Sequence, residues 1–275
     1  MSDGRMRKQS QGLMAVRVPR CGALLFLLMI MLSSSVGYGF AFNAAFWNGT
    51  KTGTTCLSIL NTYGTVSDGI YWLDPDGPNA GSDGFYAYCD MTRDGGGWTL
   101  VMRMAADTVL TYDSSYWTDQ TTFNSDAGSS LHPAVDANAK FASFLSVRGT
   151  QLRGCKGDHT GNCLYMALST SQTAVTLFNG GGQYGAGTLT RANLENVFGA
   201  VSFPYCNMIG TNQTIGSIYG RVRFGVLVNN ENECASPDQV VGWGGKISNG
   251  VSCGAGRGNW SVTGNTCYQG SLWIR

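Results

Sequence analysis

Between Tyr88 and Val101 the chain reads Tyr-Cys-Asp-Met-Thr-Arg-Asp-Gly-Gly-Gly-Trp-Thr-Leu-Val. Three consecutive glycines are entropically costly inside any regular element. They belong where the backbone turns through positive φ, or where a bulky group lies close against it. Trp98 follows at once, and then the apolar run Leu100-Val101-Met102. The pattern predicts strand, glycine turn, strand, with Trp98 sealing the start of a core. As a hairpin it is a structural device and calls for no chemistry.

Upstream stand Cys56 and then Ser67-Asp-Gly-Ile-Tyr-Trp-Leu-Asp-Pro-Asp-Gly77. Ile70, Trp72 and Asp74 alternate with Tyr71 and Leu73, which predicts a half-buried strand ending in a Pro-Asp-Gly turn. The order of Cys56, the Asp68-Gly-Ile-Tyr71 strand, the Tyr88-Cys-Asp-Met91 block and Gly95-Gly-Gly-Trp-Thr99 resembles the start of the fibrinogen C-terminal-like domain. The resemblance is specific from Cys56 to Val101. It implies an α+β fold: a small N-terminal disulfide lobe, a central, mostly antiparallel sheet with short helices, and a long irregular C-terminal region. It also implies a Cys56–Cys89 bridge.

The N-terminus reads as a targeting segment. Arg5, Arg7, Lys8, Arg17 and Arg20 precede the apolar run Ala23–Leu32, and Ser33-Ser-Ser-Val-Gly37 supplies small residues. That is the layout of a secretory signal peptide, with cleavage after Gly37, Gly39 or Ala41. The rival is a retained signal anchor, against which the triple serine and the glycines argue. The expected organisation is therefore residues 1–41 as signal peptide or anchor, 42–53 as a short linker, and 54–275 as the fibrinogen-like domain. The product is expected to be secreted, or else held as a single-pass membrane protein.

The cysteines fit export. Cys21 lies in the targeting segment, and eight remain: Cys56, Cys89, Cys155, Cys163, Cys206, Cys234, Cys253 and Cys267. An even count in an oxidising compartment predicts four disulfides. Cys155 and Cys163 would close a short loop, leaving the last four to pair among themselves. No C-x-x-C pair occurs, which disfavours a zinc ribbon or a thioredoxin-like site. Asn48, Asn212 and Asn259 each open a glycosylation sequon and are expected on exposed loops.

Charged residues are only 13% of the chain, and glycine is 39 of 275. Low charge with many glycines predicts a turn-rich exterior, while 11% aromatic residues supply the core. Without residues 1–41 the chain keeps 13 basic and 16 acidic residues. No basic cluster survives, so a nucleic-acid partner has no electrostatic footprint.

Further along, Tyr112, Tyr116 and Trp117 are expected in a polar loop or irregular strand, where aromatics can stack on a sugar but more often pack down onto the sheet. Asp136–Leu145 predicts a short helix. Leu164–Leu168 and Ala174–Phe178 read as strands. Leu189–Phe198 is the best helix, with Thr190 as N-cap and Gly199 as its end. Arg221–Asn229 alternates Val222, Phe224, Val226 and Val228 and is the strongest strand. Loops are expected from there to a closing strand, Ser271–Arg275.

That strand runs into Val228-Asn-Asn-Glu-Asn-Glu-Cys234. The motif resembles the intelectins, or X-type lectins, whose strand ends similarly. In that family the second Asn helps bind a calcium ion, and an exocyclic vicinal diol of the sugar completes its shell. The resemblance makes Asn230 the metal ligand and Glu231 its neighbour. Calcium takes hard oxygen donors, which this loop offers; the competing reading is a strand end bonded to its own backbone. The resemblance stops at Cys234: from there to Arg275 there is no histidine, and Asp238 is the sole acid. Trp243, Trp260 and Tyr268 are the candidate aromatic walls for a sugar, although Trp243 within Gly-Trp-Gly-Gly equally suits a core.

Only two histidines occur, His132 and His159, and no G-x-S-x-G, H-E-x-x-H or P-loop. An enzyme is not expected. Two functions remain. One is a secreted lectin-like glycoprotein that binds an extracellular glycan or glycoprotein, with calcium as cofactor. The other is an adhesive or protein-binding module without sugar recognition.

Overall fold

The structure is a computed structural model describing residues 47–125, 131–199, 203–215, 220–248, 252–259 and 266–275. By internal contacts the chain separates into Met1–Ala41 and Phe42–Arg275, and all described residues belong to the second unit. The expected targeting segment, residues 1–41, and Trp260 lie outside the described residues.

The first half opens with β1 (Trp47–Gly53), α1 (Cys56–Tyr63), β2 (Gly69–Leu73), β3 (Phe85–Asp90) and β4 (Trp98–Met104). It continues through β5 (Ala139–Lys140), α2 (Ala142–Ser146), β6 (Arg148–Lys156) and β7 (Cys163–Thr173). Then come α3 (Ala174–Asn179), α4 (Arg191–Phe198), β8 (Tyr205–Ile215), β9 (Gly220–Asn229) and β10 (Gln239–Ile247). β11 (Ala255–Asn259), β12 (Thr266–Cys267) and β13 (Gly270–Ile274) close the chain. Sheets joined by short helices make the fold α+β.

The first sheet runs β1-β2-β3-β4-β13-β6-β7, with β5 beside β4. Every pair in it is antiparallel except β1–β2. The last strand thus fills the middle of the sheet: Leu272 lies between Met102 and Gly154. The second sheet, β12-β11-β10-β9-β8, is wholly antiparallel.

Four expectations change. Trp47–Gly53, within the expected linker, is a strand pairing with β2. Ala174–Phe178 is helical: Thr173 caps it by accepting from the Thr176 N–H, and Val175, Leu177 and Phe178 are all buried. The apolar run is too short for periodicity to separate strand from helix, and the cap decides. The expected helix from Asp136 narrows to Ala142–Ser146, because Ala139–Lys140 pairs with β4. The C-terminal region is not irregular: β10 and β11 occupy the stretch read as loops.

Those strands were hidden by glycine. Gly210, Gly225, Gly242 and Gly256 face one another across β8, β9, β10 and β11. All four have positive φ, from +135° to +159°. A Cβ on Gly242 would sit 2.2 Å from the Phe224 carbonyl oxygen. The four strands crease together at one level, which only glycine permits. Thr190 caps α4 as expected, and Gly199 ends it.

The two sheets meet through Trp243. Its ring covers Gly154 of β6, where any Cβ would collide with it, and lies close to Gly270 of β13, and its Nε1 donates to the Cys155 carbonyl at 3.0 Å. Phe198 and Phe224 pack on the ring at 5.1 and 5.2 Å. All eight cysteines from Cys56 onward are paired: Cys56–Cys89, Cys155–Cys163, Cys206–Cys234 and Cys253–Cys267. Among the described residues no helix is long and apolar enough to cross a membrane.

Candidate functional site

The glycine block places charge beneath the surface. Gly95, Gly96 and Gly97 all have positive φ, and a Cβ on Gly96 would lie 2.1 Å from the Met91 carbonyl oxygen. This tight return sets Asp90 and Asp94 beside Arg153 of β6. Arg153 Nη2 meets Asp90 Oδ2 at 2.6 Å with both side chains fully buried, and Nη1 reaches Asp94 at 3.2 Å. The guanidinium lies 4.5 Å from the Trp98 ring and 5.0 Å from the Trp273 ring. Burial pushes the Arg153 pKa down, and the two carboxylates oppose that shift. Arg275 also lies over Trp98, at 4.5 Å.

Beside this stack, His159 Nε2 pairs with Asp68 at 3.1 Å. Tyr88 contacts the rings of His132, His159 and Trp273. Asp68, Asp90 and His159 are the one trio of metal-ligand type among the described residues, their ligand atoms within 4.8 Å. Their oxygens are already engaged. Asp68 Oδ1 accepts from the Met91 N–H and Thr92 Oγ1, Asp90 Oδ1 from the N–H groups of Thr92 and Arg93, and Asp90 Oδ2 faces Arg153. The trio clamps the 91–93 turn, and the guanidinium opposes a second cation there. The signal in the sequence was Asp68, Asp90 and Asp94 recurring within a charge-poor chain.

Above lies a cleft of ≈ 520 Å³ lined by Arg93, Asp94, His159, Asn162, Thr188, Asn193 and Asn196, among others. The Cys155–Cys163 loop forms one wall and α4 the other. Asn162 and Asn196 are exposed, and neither amide makes a hydrogen bond among the described residues. Asn193 Nδ2 donates to the Thr188 carbonyl at 2.8 Å, leaving its Oδ1 unengaged. Across Gly161 and Asn162, which line both, is a second cleft of ≈ 380 Å³ with Lys156, Gly157, Tyr268 and Gln269. Sequence reasoning singled out Tyr268 here but not Lys156 or the asparagines, which carry no motif and are gathered only by the fold.

The other expected site residues scatter. Trp243 is a core residue, not a sugar wall: its relative exposure is 0%. Asn230 and Glu231 are exposed at the end of β9, on the far side of Asn229. Glu233 organises this loop, its Oε1 accepting from Asn229 Nδ2 and Ser236 Oγ, both at 2.5 Å. The Ser236 hydroxyl and the Ala235 N–H, with a smaller part from Asn229, pull its pKa below the usual carboxylate range. The Asn230 N–H donates to Asp238 at 3.2 Å. Asn229 Oδ1 is buried without a partner.

The sequons also divide. Asn212 is not on an exposed loop: it lies in β8 at 8% exposure, with Nδ2 donating to the carbonyls of Leu177 and Gly180. The nitrogen that would carry a glycan is thus consumed internally. Asn259 is half-buried in β11, and its Oδ1 accepts from Gln239. Asn48 falls in β1.

No protein-family model matches this chain, and no curated protein does. Among solved structures it is similar to the lamprey fibrin D-dimer complexed with the peptide ligand Gly-His-Arg-Pro-amide, at 17% identity and a TM-score of 0.31. The match takes in 51% of this chain and 41% of that one, so the chain spans about two fifths of that structure's length. A likeness of this size fixes neither fold nor function.

Proposed function

We propose that this chain is a secreted binding module of the fibrinogen-related class whose ligand is a glycan. The observation carrying the reading is the cleft beside the Cys155–Cys163 loop, with the unengaged amides of Asn162 and Asn196 and the Oδ1 of Asn193. Amides offer donor and acceptor together, which suits the paired hydroxyls of a sugar. The loop is held by a disulfide and by its backbone bonds, so little ordering cost falls on binding. A glycan array run with and without chelator tests it. No signal in either condition removes the reading and moves the chain to the protein-binding alternative.

Calcium fits the donor set at 229–231. The buried, unpartnered Asn229 Oδ1 and the exposed oxygens of Asn230 and Glu231 are hard ligands of the kind calcium takes. Bound calcium would supply a Lewis-acidic centre for sugar hydroxyls. Asn229–Glu231 would hold it, and Glu233 would keep the loop in place. Millimolar calcium should raise the melting temperature relative to chelator, because it binds only the folded state. Asn230→Ala should remove that rise, and an unchanged melt with calcium would leave the motif as a strand end.

A further inference from the structure

We infer that the glycan this module takes is acidic, and that Lys156, Tyr268 and Gln269 form the subsite for its carboxylate or sulfate. The inference rests on the glycan-binding reading and extends it into the second cleft. Lys156 ends β6, and its Nζ lies 3.7 Å from the centre of the Tyr268 ring. No carboxylate among the described residues pairs with it. The aromatic face holds the ammonium in place, and with no acid beside it the charge is available to an anion from outside.

The surroundings fit an acid carried on a sugar. Tyr268 is half-buried, its ring 5.9 Å from that of Phe198, and it offers a sugar the part of the ring that Lys156 and the core leave uncovered. Gln269 Nε2 donates to the Val135 carbonyl at 3.0 Å, which fixes the side chain and leaves Oε1 for a hydroxyl. The Lys156 N–H donates to the Asn162 carbonyl at 3.0 Å, and the Gly157 N–H to the Gln269 carbonyl at 2.6 Å. These bonds tie both rims to one frame. Asp158, the loop's own acid, is turned back onto Thr160, whose N–H and Oγ1 it accepts at 2.8 and 2.6 Å. Because Gly161 and Asn162 line both clefts, one oligosaccharide laid across them would set neutral residues against the asparagines and its acidic residue against Lys156.

The experiment is an array of matched pairs, each a neutral glycan beside the same glycan bearing one carboxylate or sulfate. The wild-type protein should favour the acidic member by about tenfold in at least one pair, the scale of one well-placed charged hydrogen bond. That preference should shrink at high salt. Lys156→Gln should collapse it to within about twofold, and Lys156→Arg should restore it. An unchanged melting temperature for Lys156→Gln shows that the fold is intact. Neutral glycans binding without any acidic preference, or a preference surviving Lys156→Gln, would overturn the subsite and leave the glycan reading standing. Binding of neither member of any pair would remove the glycan reading itself. Competition by polyglutamate as effective as that by the acidic glycan would show a site reading charge alone, and would also overturn the proposal.

Discussion

The two sheets are specified in opposite ways. The first is fixed by side chains that must meet: Asp90 with Arg153, Lys140 with Asp119 at 2.7 Å, and Trp98 and Trp273 with the guanidinium. The second is fixed by side chains that must be missing. Its strands share a level at which every residue from β8 to β11 is glycine, and its buried cation, Arg223, is satisfied by the carbonyls of Tyr112 and Phe178 and the Asn212 amide. A fold can therefore be over-determined in one half by chemistry and in the other by shape. The candidate clefts open on the chemically determined half, whose Cys155–Cys163 loop is anchored to β13 by Ser271 Oγ donating to the Gly157 carbonyl at 3.0 Å.

The comparison breaks first at Arg153. Arg153→Ala strands the Asp90 charge and removes the guanidinium that lies against two tryptophans. Removing one partner of a buried pair costs about 3–5 kcal/mol. Urea unfolding should show a loss of that size. Replacing both partners, Arg153→Met with Asp90→Asn, should recover much of it, since asparagine keeps the oxygen that accepts from Thr92 and Arg93. A loss below about 1 kcal/mol in the single variant, the scale of an exposed ion pair, would mean the stack does not specify the first sheet.

This asymmetry explains what the sequence could announce. Cys56 to Val101 was readable because cysteines, aspartates and a tryptophan at fixed spacing leave few arrangements open, and Cys56–Cys89 and the glycine return follow it. Strand β9 was readable from Val222, Phe224, Val226 and Val228. Its neighbour β10, Gln-Val-Val-Gly-Trp-Gly-Gly-Lys-Ile, carries three glycines that mimic a loop, and the reason for them appears only when the four strands align. Trp243 suited a sugar wall and a core equally for the same reason: besides Phe198 and Phe224 its ring lies on Gly154, a position with no side chain to signal contact. The cleft asparagines were illegible because Asn162, Asn193 and Asn196 come from two elements and obey no spacing.

The second sheet should yield to a single methyl group. Gly242→Ala forces a Cβ onto a residue at φ +138° and against the Phe224 carbonyl oxygen. The backbone term alone is about 1–3 kcal/mol. Gly181→Ala, where a Cβ meets nothing within 4 Å, is the control and should be near neutral. Equal melting temperatures for the two variants would show that the glycine row is incidental to the second sheet.

The smallest effect is a difference in acid sensitivity. Both histidines pack on Tyr88 of the first sheet, and the second has none. Burial lowers the His132 pKa from its ordinary value, helped by His159 and Arg103 and opposed by Asp158. The unfolded chain therefore takes up this proton first. Stability contributed by neutral His132 is complete above the unfolded value of about 6.5, and is lost as pH falls from there to the folded value. Asp158 has a second window. Thr160 and the two imidazoles outweigh burial and hold it below the usual carboxylate range. Its contribution is present above about 3.9 and lost as pH falls through the folded value. Amides of β3, β4 and β6 should thus lose hydrogen-exchange protection between neutral and mildly acidic pH before those of β9 and β10. His132→Asn keeps an acceptor for the Ala134 N–H, now at 3.2 Å from Nδ1, and removes the titration. It should flatten the stability curve in the first window and shrink the second only in part, since Thr160 and His159 still hold Asp158 down. An unchanged slope in that variant, or earlier loss of protection in β9 and β10, would dissolve the distinction between the two sheets where it is weakest.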